Sequence, residues 1–401
     1  MTQWLQLTDE QRRGTLAQVE ARSGIVVKAL EKDWWVTCCL MALFSTPYAQ
    51  YCLFKGGTSL SKGWKLIARF SEDVDIALAP EAFGMEYQPE PSHSFVKNLK
   101  RRGCIFTTSV LKPAIEIALS ELGVPQGMVT VEAEAVPADR PDKDPQTLFI
   151  RYRSLYDPHR YLADEIKMEF GVRSFREPFG TVQIQSILSE VFPNPAYPET
   201  PFEVTAVEPR KTLLEKLFLL HEKFHRPVQG EIQAERQSRH PYDIVMLLPT
   251  ATAVLEDQPF YDRLLNHRRH YVRLAGIDYD QLAPRRLRFV PSIEWVAEFR
   301  TDYAEMQQSM IYGPSPEFDD LLQQLKFFNG RVRLMGTGLE LQTVIDQFMD
   351  RYKTLMQAGP ERNIFHGELA LATATGEPIT YRITMHRIRK TWIFEEIQLD
   401  D

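Results

Sequence analysis

Gly56-Gly57-Thr58-Ser59, followed by Arg69-Phe70-Ser71-Glu72-Asp73-Val74-Asp75-Ile76, is the stretch on which the reading of this chain turns. The second block predicts a short strand over Val74–Leu78, ended by Pro80. Side chains alternate along a strand, so Asp73 and Asp75 project from the same face. Two carboxylates held side by side repel unless a cation neutralises them. An oxygen-only donor set favours a hard ion, Mg²⁺ (or Mn²⁺), which takes few protein carboxylates and fills its shell with phosphate and water. The paired glycines let the backbone come close to a ligand. The N–H groups of their turn, with the Thr58 and Ser59 hydroxyls, can hold phosphate oxygens. A turn that grips a triphosphate beside two metal-binding aspartates suits in-line nucleotidyl transfer. Taken singly, each block also has a bland reading, surface charge on a strand edge and an ordinary turn.

Further along, residues 164–172 alternate as a strand, with Ile166, Met168 and Phe170 on one face and Glu165, Lys167 and Glu169 on the other. Glu169 is the candidate third carboxylate, able to complete a metal site and to accept a proton from an attacking hydroxyl. Lys216, on an amphipathic helix, can meet the β- and γ-phosphates as a point charge. Asp243 either orients Lys216 or a nucleotide hydroxyl, or pairs with Arg239. Nothing in this chemistry requires an imidazole, so His221, His225 and His240 are read as structural.

The chain has 401 residues, long enough for two or three domains. Hydrophobic residues make up 44% and charged residues 25%, which excludes global disorder. The net charge of −7 argues against a protein that coats nucleic acid, though not against a local basic groove. The cysteines Cys38, Cys39, Cys52 and Cys104 form no CxxC pair and no zinc-ligand spacing, so buried reduced thiols are expected. Met1–Arg13 has no apolar signal core, and the apolar run Trp34–Phe44 is about half the length needed to cross a bilayer. A cytoplasmic location without a membrane partner is the expectation.

The elements divide into three parts. Residues 1–206 read as a mixed α/β catalytic domain: helix over 8–45, helix over 59–68, and strands at 74–78, 127–135, 147–153 and 164–172. Residues 207–330 read as a helical domain completing the active site, with helices at 209–226, 240–247, 259–275, 291–312 and 317–328. Residues 331–401 read as one helix (339–357) and an antiparallel meander (364–398) turning at Gly376-Glu377-Pro378, an α+β appendage. Trp392 and Phe394 fall on the inner face of that meander, which either docks a partner or packs on the helical domain.

Several blocks, in this order, resemble the AbiEii/AbiGii-type toxin nucleotidyltransferases, a branch of the polymerase β-like superfamily. They are Glu31-Lys32-Asp33-Trp34, Phe54-Lys55-Gly56-Gly57-Thr58-Ser59-Leu60-Ser61-Lys62, Arg69–Asp75, Lys167-x-Glu169, Glu215-Lys216-Leu217, and Ser238-Arg239-His240-x-Tyr242-Asp243. The stretch from Tyr303 to Pro316 resembles the family's helical C-terminal part. The likeness spans about residues 25–330 and leaves 331–401 outside. It implies an α+β fold with a polymerase β-like mixed-sheet core, and a metal-dependent enzyme moving NMP from an NTP. Asp73, Asp75 and Glu169 would bind metal. Gly56, Gly57, Thr58, Ser59, Lys62, Lys167, Lys216 and Asp243 would bind the nucleotide and its phosphates. Relatives act as toxins of toxin–antitoxin and phage-defence systems, and characterised ones add nucleotides to the 3′ end of tRNA. A tRNA acceptor and an antitoxin protein are therefore the implied partners.

Local basic clusters suit an RNA partner: Arg101 within Lys97–Arg102, Arg268 and Arg269 in the run to Arg273, and Arg285 and Arg286. Tyr271 and Phe289 are placed to stack on unpaired bases. Two other function classes compete: an enzyme with the same core that nucleotidylates a Ser, Thr or Tyr hydroxyl of a protein, and a non-catalytic defence scaffold.

Overall fold

The computed structural model describes the chain apart from residues 72, 138–140, 158–162, 226–233, 359–362, 374–377, 389–390 and 400–401. It divides into two compact units. The first comprises Met1–Thr212, Asn266–Val272 and Ser309–Pro314, and the second Leu213–Leu265, Arg273–Gln308 and Ser315–Asp401.

The first unit is built on a mixed seven-stranded sheet. Its strands are β1 Cys52–Lys55, β2 Asp73–Leu78, β3 Val129–Ala133, β4 Gln146–Tyr152, β5 Glu165–Gly171, β6 Phe179–Ile184 and β7 Phe202–Val207, in the order β3-β4-β5-β2-β1-β7-β6. The β2–β5 and β1–β7 pairs are parallel and the other pairs antiparallel. One face of the central strands is apolar: Val74, Ile76, Ile166, Met168 and Phe170 are buried. The helix Val27–Ser45 belongs to the same core through Leu30, Trp34 and Trp35. Trp4, Trp34, Trp35 and Tyr152 form a continuous chain of ring contacts, tilted, edge-to-face and stacked in turn, with centroids 4.8, 5.0 and 5.1 Å apart. Each such buried ring removes enough apolar area from water to contribute about 2–3 kcal/mol.

The helix Val27–Ser45 also carries buried charges, each with a partner. Glu31 accepts hydrogen bonds from Ser154 Oγ (2.7 Å) and the Leu155 N–H (2.8 Å), and Lys28 donates to Asp164, Ser154 and Tyr156 O. Asp33 accepts from Lys62 Nζ (2.7 Å) and the Ile187 N–H (2.7 Å). One helix thus ties down the loop after β4, the helix after the glycine turn, and the start of the helix Ile187–Val191. Burial pushes the Glu31 carboxyl above its ordinary value.

In the second unit, Phe318–Arg333 and Leu341–Ala358 are helices, and β8 Ile364–Ala372, β9 Pro378–Ile388 and β10 Thr391–Leu399 form an antiparallel sheet in the order β10-β9-β8. Phe394 is buried and Trp392 packs against the same cluster, as the inner-face reading expects. This sheet is joined to the helix Phe318–Arg333 by Lys326 Nζ to Glu395 (2.6 Å) and Gln323 to Phe394 O (3.2 Å). The expected turn at Gly376-Glu377-Pro378 lies mostly outside the described residues.

Several expected boundaries differ. The helix expected over 8–45 is two, Asp9–Ser23 and Val27–Ser45, because Gly24 takes φ +73° and ends the first. A Thr8–Gln11 capping box starts it. The helix after the glycine turn stops at Gly63, and Lys65 follows with φ +55°. The run expected over 259–275 is a helix Gln258–His267 followed by a wider turn Arg268–Val272. Strands β1 and β6 and the helix Leu248–Glu256 were not expected. All four cysteines are buried and free, and burial pushes the Cys38 and Cys52 thiols up to about 12. Among the described residues one helical run, His93–Glu121, is long and apolar enough to cross a bilayer. Its Leu99, Phe106, Leu111 and Ile115 are part of the first unit's core.

Candidate active site

The register of the sheet places the predicted acidic residues in one neighbourhood. Lys55, Asp75, Glu169 and Thr147 are opposite one another across β1, β2, β5 and β4. Asp73 and Lys167 form the next row on the same face. Lys55, Asp73, Asp75, Lys167 and Glu169 are half-buried, while the residues between them face the core. An alternation that points apolar groups inward leaves this polar set together on the outer face.

The glycine turn closes over that set. β1 ends at Lys55, and Gly56–Thr58 begins a helical turn continued by Ser59–Gly63. Gly56 has φ +77°, and a Cβ there would lie 2.1 Å from Asp75 Oδ2. A Cβ on Gly57 would lie 2.4 Å from a guanidinium nitrogen of Arg69. Gly56 is thus required by its left-handed backbone and its approach to the candidate metal-binding carboxylate, while a Cβ on Gly57 would press the Arg69 guanidinium. Arg69 is buried, donates to Phe70 O at 2.9 Å and forms an isolated bridge with Ile311.

Three of the candidate phosphate donors have partners within the fold. Thr58 Oγ1 donates to Asp73 O at 2.6 Å, and Ser59 Oγ donates to Gly56 O at 2.9 Å. These two bonds tie the turn to β2 and to itself. Lys62 is buried and bonded to Asp33 and to Gln185 O at 3.0 Å, so its charge is met inside the fold.

The residues present suit a divalent cation. Asp73, Asp75 and Glu169 supply only hard oxygen donors, and the missing Cβ of Gly56 leaves room against Asp75. Among the described residues no three His, Cys, Asp or Glu side chains already close into a metal-holding group.

In the second unit, Lys216 of the helix Pro209–His225 pairs with Asp243 of the helix Arg239–Met246, Nζ to Oδ2 2.8 Å. Of the alternatives for Asp243, orienting Lys216 is therefore present. Asp302 accepts from the Ser238 N–H (2.8 Å), from Ser238 Oγ and from the Arg236 N–H, fixing the start of Asp243's helix. His221 accepts from the Arg288 N–H at 3.1 Å, and burial lowers its pKa to about 3. It is a structural imidazole, as expected.

The basic candidates fall in both units: Arg101, Arg268 and Arg269 in the first, Arg285 and Arg286 in the second. Arg101, Arg285 and Arg286 are exposed, and Arg268 and Arg269 half-buried. The stacking role expected of Tyr271 and Phe289 is overturned, since they are 3% and 0% exposed. Tyr271 instead stacks on Tyr87 and donates to Gln88 O. Sequence reasoning quoted Lys55 and Arg69 within its blocks but gave neither a role. Their places come from the register of β1 and from the close packing of Gly57, neither of which has a local sequence signal.

Paired carboxylates beside a tight glycine turn are the groups that nucleotidyl transfer calls for. The model of the nucleotidyl transferase AbiEii toxin family, type IV toxin–antitoxin system, matches residues 39–324. The chain belongs to that family and is a nucleotidyltransferase. Searches of curated proteins and of solved structures find no match.

Proposed function

We propose that this enzyme moves NMP from an NTP to the 3′ end of a tRNA and acts as the toxin of a toxin–antitoxin or phage-defence pair, held in check by an antitoxin protein. The observation that carries the transfer reading is the register of Asp75 with Glu169, together with Gly56 pressed against Asp75. Asp73, Asp75 and Glu169 are the residues that would hold Mg²⁺ (or Mn²⁺). When bound, that ion offsets phosphate charge and favours displacement at the α-phosphorus.

The chain's own groups supply the rest. N–H groups of the Gly56–Thr58 turn orient the phosphates. Glu169 accepts the proton of the attacking hydroxyl, whose oxygen bonds to the α-phosphorus as the bond to the bridging oxygen breaks and pyrophosphate leaves. Lys167 and Lys216 neutralise phosphate charge, and Asp243 holds Lys216. Arg101, Arg268, Arg269, Arg285 and Arg286 are the candidate RNA contacts. The polymerase β-like core, the three-part division at 206 and 330, and a cytoplasmic site of action belong to the same proposal.

The test is transfer of label from α-³²P-NTP with Mg²⁺ to separated RNA and protein fractions. Label in tRNA is expected. Label in protein alone would replace the RNA acceptor by a side-chain hydroxyl.

A further inference from the structure

The second unit brings four basic side chains into one neighbourhood. His221 and His225 are one turn apart on the helix Pro209–His225, with ring centroids 4.0 Å apart. The segment Arg285–Arg288 meets them there, since the Arg288 N–H donates to His221 Nδ1 at 3.1 Å. The end of the helix Phe318–Arg333 grips the same segment. Asn329 Nδ2 donates to Leu287 O at 3.5 Å, and Arg333 Nη1 donates to Arg285 O. Arg333 thus carries a guanidinium to the segment that bears Arg288.

The charge of this cluster is not balanced by side chains. Arg333 is 8% exposed, and its Nε has no hydrogen-bond partner among the described residues. Among the same residues neither Arg333 nor Arg288 forms an ion pair with a carboxylate. Glu396 is the carboxylate whose field reaches Arg333, and the charge of Arg288 opposes it. Burial lowers the pKa of His221 and of His225, and the charges of Arg288 and Arg333 lower both further. Both imidazoles are therefore neutral at pH 7, and the cluster's positive charge sits on the two guanidiniums. A buried cation without a counter-charge is costly.

Two histidines four apart on a helix also have the spacing of metal ligands. Here Nδ1 of His221 is taken by a backbone N–H, two guanidiniums repel a cation, and no third ligand closes a metal-holding group among the described residues. The surroundings favour an anion.

We infer that Arg288 and Arg333, beside the His221–His225 pair, form a seat for a phosphate group. The planar fork of arginine matches the oxygens of a phosphate. Arg288 is exposed and gives the seat an opening, and the exposed Arg285 and Arg286 extend its positive surface. The phosphate is either a phosphodiester of an RNA backbone or a free phosphate anion. Asp73, Asp75 and Glu169 belong to the first unit, so the seat is a site of its own.

Equilibrium binding of inorganic phosphate to the full chain tests this, at constant ionic strength with Mg²⁺ and a non-hydrolysable NTP analogue at saturation. Phosphate is expected to bind and to raise the melting temperature. Arg333→Gln should weaken it about tenfold, and so should Arg288→Gln, whose exposed side chain can be changed without disturbing the core. Lys353→Gln, which removes an exposed charge of the helix Leu341–Ala358, should leave it unchanged. A short RNA without terminal phosphates separates the sources: competition with phosphate assigns the seat to an RNA backbone, and no competition assigns it to a free anion. The inference is overturned if the wild-type chain binds no phosphate, if Arg288→Gln binds it as tightly as wild type, or if Lys353→Gln weakens it as much as Arg288→Gln. Transfer activity is not read, so failure here leaves the acceptor proposed above untouched.

Discussion

The carboxylate of Asp75 lies against the Cα of Gly56: a Cβ on that glycine would sit 2.1 Å from Asp75 Oδ2. Gly56 also takes φ +77°, which L side chains rarely adopt. Both constraints act on Gly56→Ala. The variant is expected to lose transfer and about 2 kcal/mol or more of stability by urea unfolding. Wild-type activity in that variant would mean that the turn does not set the position of Asp75.

Asp75→Asn keeps the shape and removes the charge. Transfer should fall to background, while the melting temperature stays within about 4 °C of wild type in EDTA. A larger fall would make Asp75 a structural residue first, and the cation reading would lose its main support.

Lys216 and Asp243 form a pair whose side chains are 10% and 0% exposed. Removing one partner of a buried pair costs about 3–5 kcal/mol, while removing both costs less than the sum. Lys216→Met should therefore be strongly destabilised, and adding Asp243→Leu should recover part of the loss. NTP affinity should fall in both. If the double variant binds NTP like wild type, the pair is purely structural.

His221 gives a pH dependence whose sign is fixed. Burial holds its pKa at about 3, below the ordinary 6.5. Between those values the unfolded chain binds a proton that the folded chain does not. This contribution is therefore complete above pH 6.5 and is lost as pH falls toward 3, at up to about 1.4 kcal/mol per pH unit. His221→Asn retains an acceptor for the Arg288 N–H. It is expected to lower the dependence of the urea midpoint on pH between 7 and 4.5. An unchanged slope would assign the acid sensitivity elsewhere.

The alternation in β2 and β5 was legible because one face is apolar, so the shared face of Asp73 and Asp75, and the polar face that carries Glu169, followed from periodicity alone. Their register across two strands 94 residues apart in the pairing Asp75–Glu169 did not, because parallel pairing depends on the whole sheet. β1 has four residues, too few for a period to show, and β6 carries a polar edge face. The internal partners of the glycine turn's hydroxyls were out of reach for a related reason. Whether Thr58 gives its proton to a phosphate or to Asp73 O depends on a strand fifteen residues on. Likewise Lys62 looked like a phosphate ligand until Asp33 was beside it, and Tyr271 looked available for stacking until Tyr87 covered it.

The most direct test of the central claim is a single assay: purified protein, Mg²⁺, each α-³²P-NTP in turn, and total tRNA, with Asp75→Asn as the control. The account expects label in the tRNA fraction with the wild-type chain and none with the variant. Equal labelling by the wild-type chain and Asp75→Asn would contradict it.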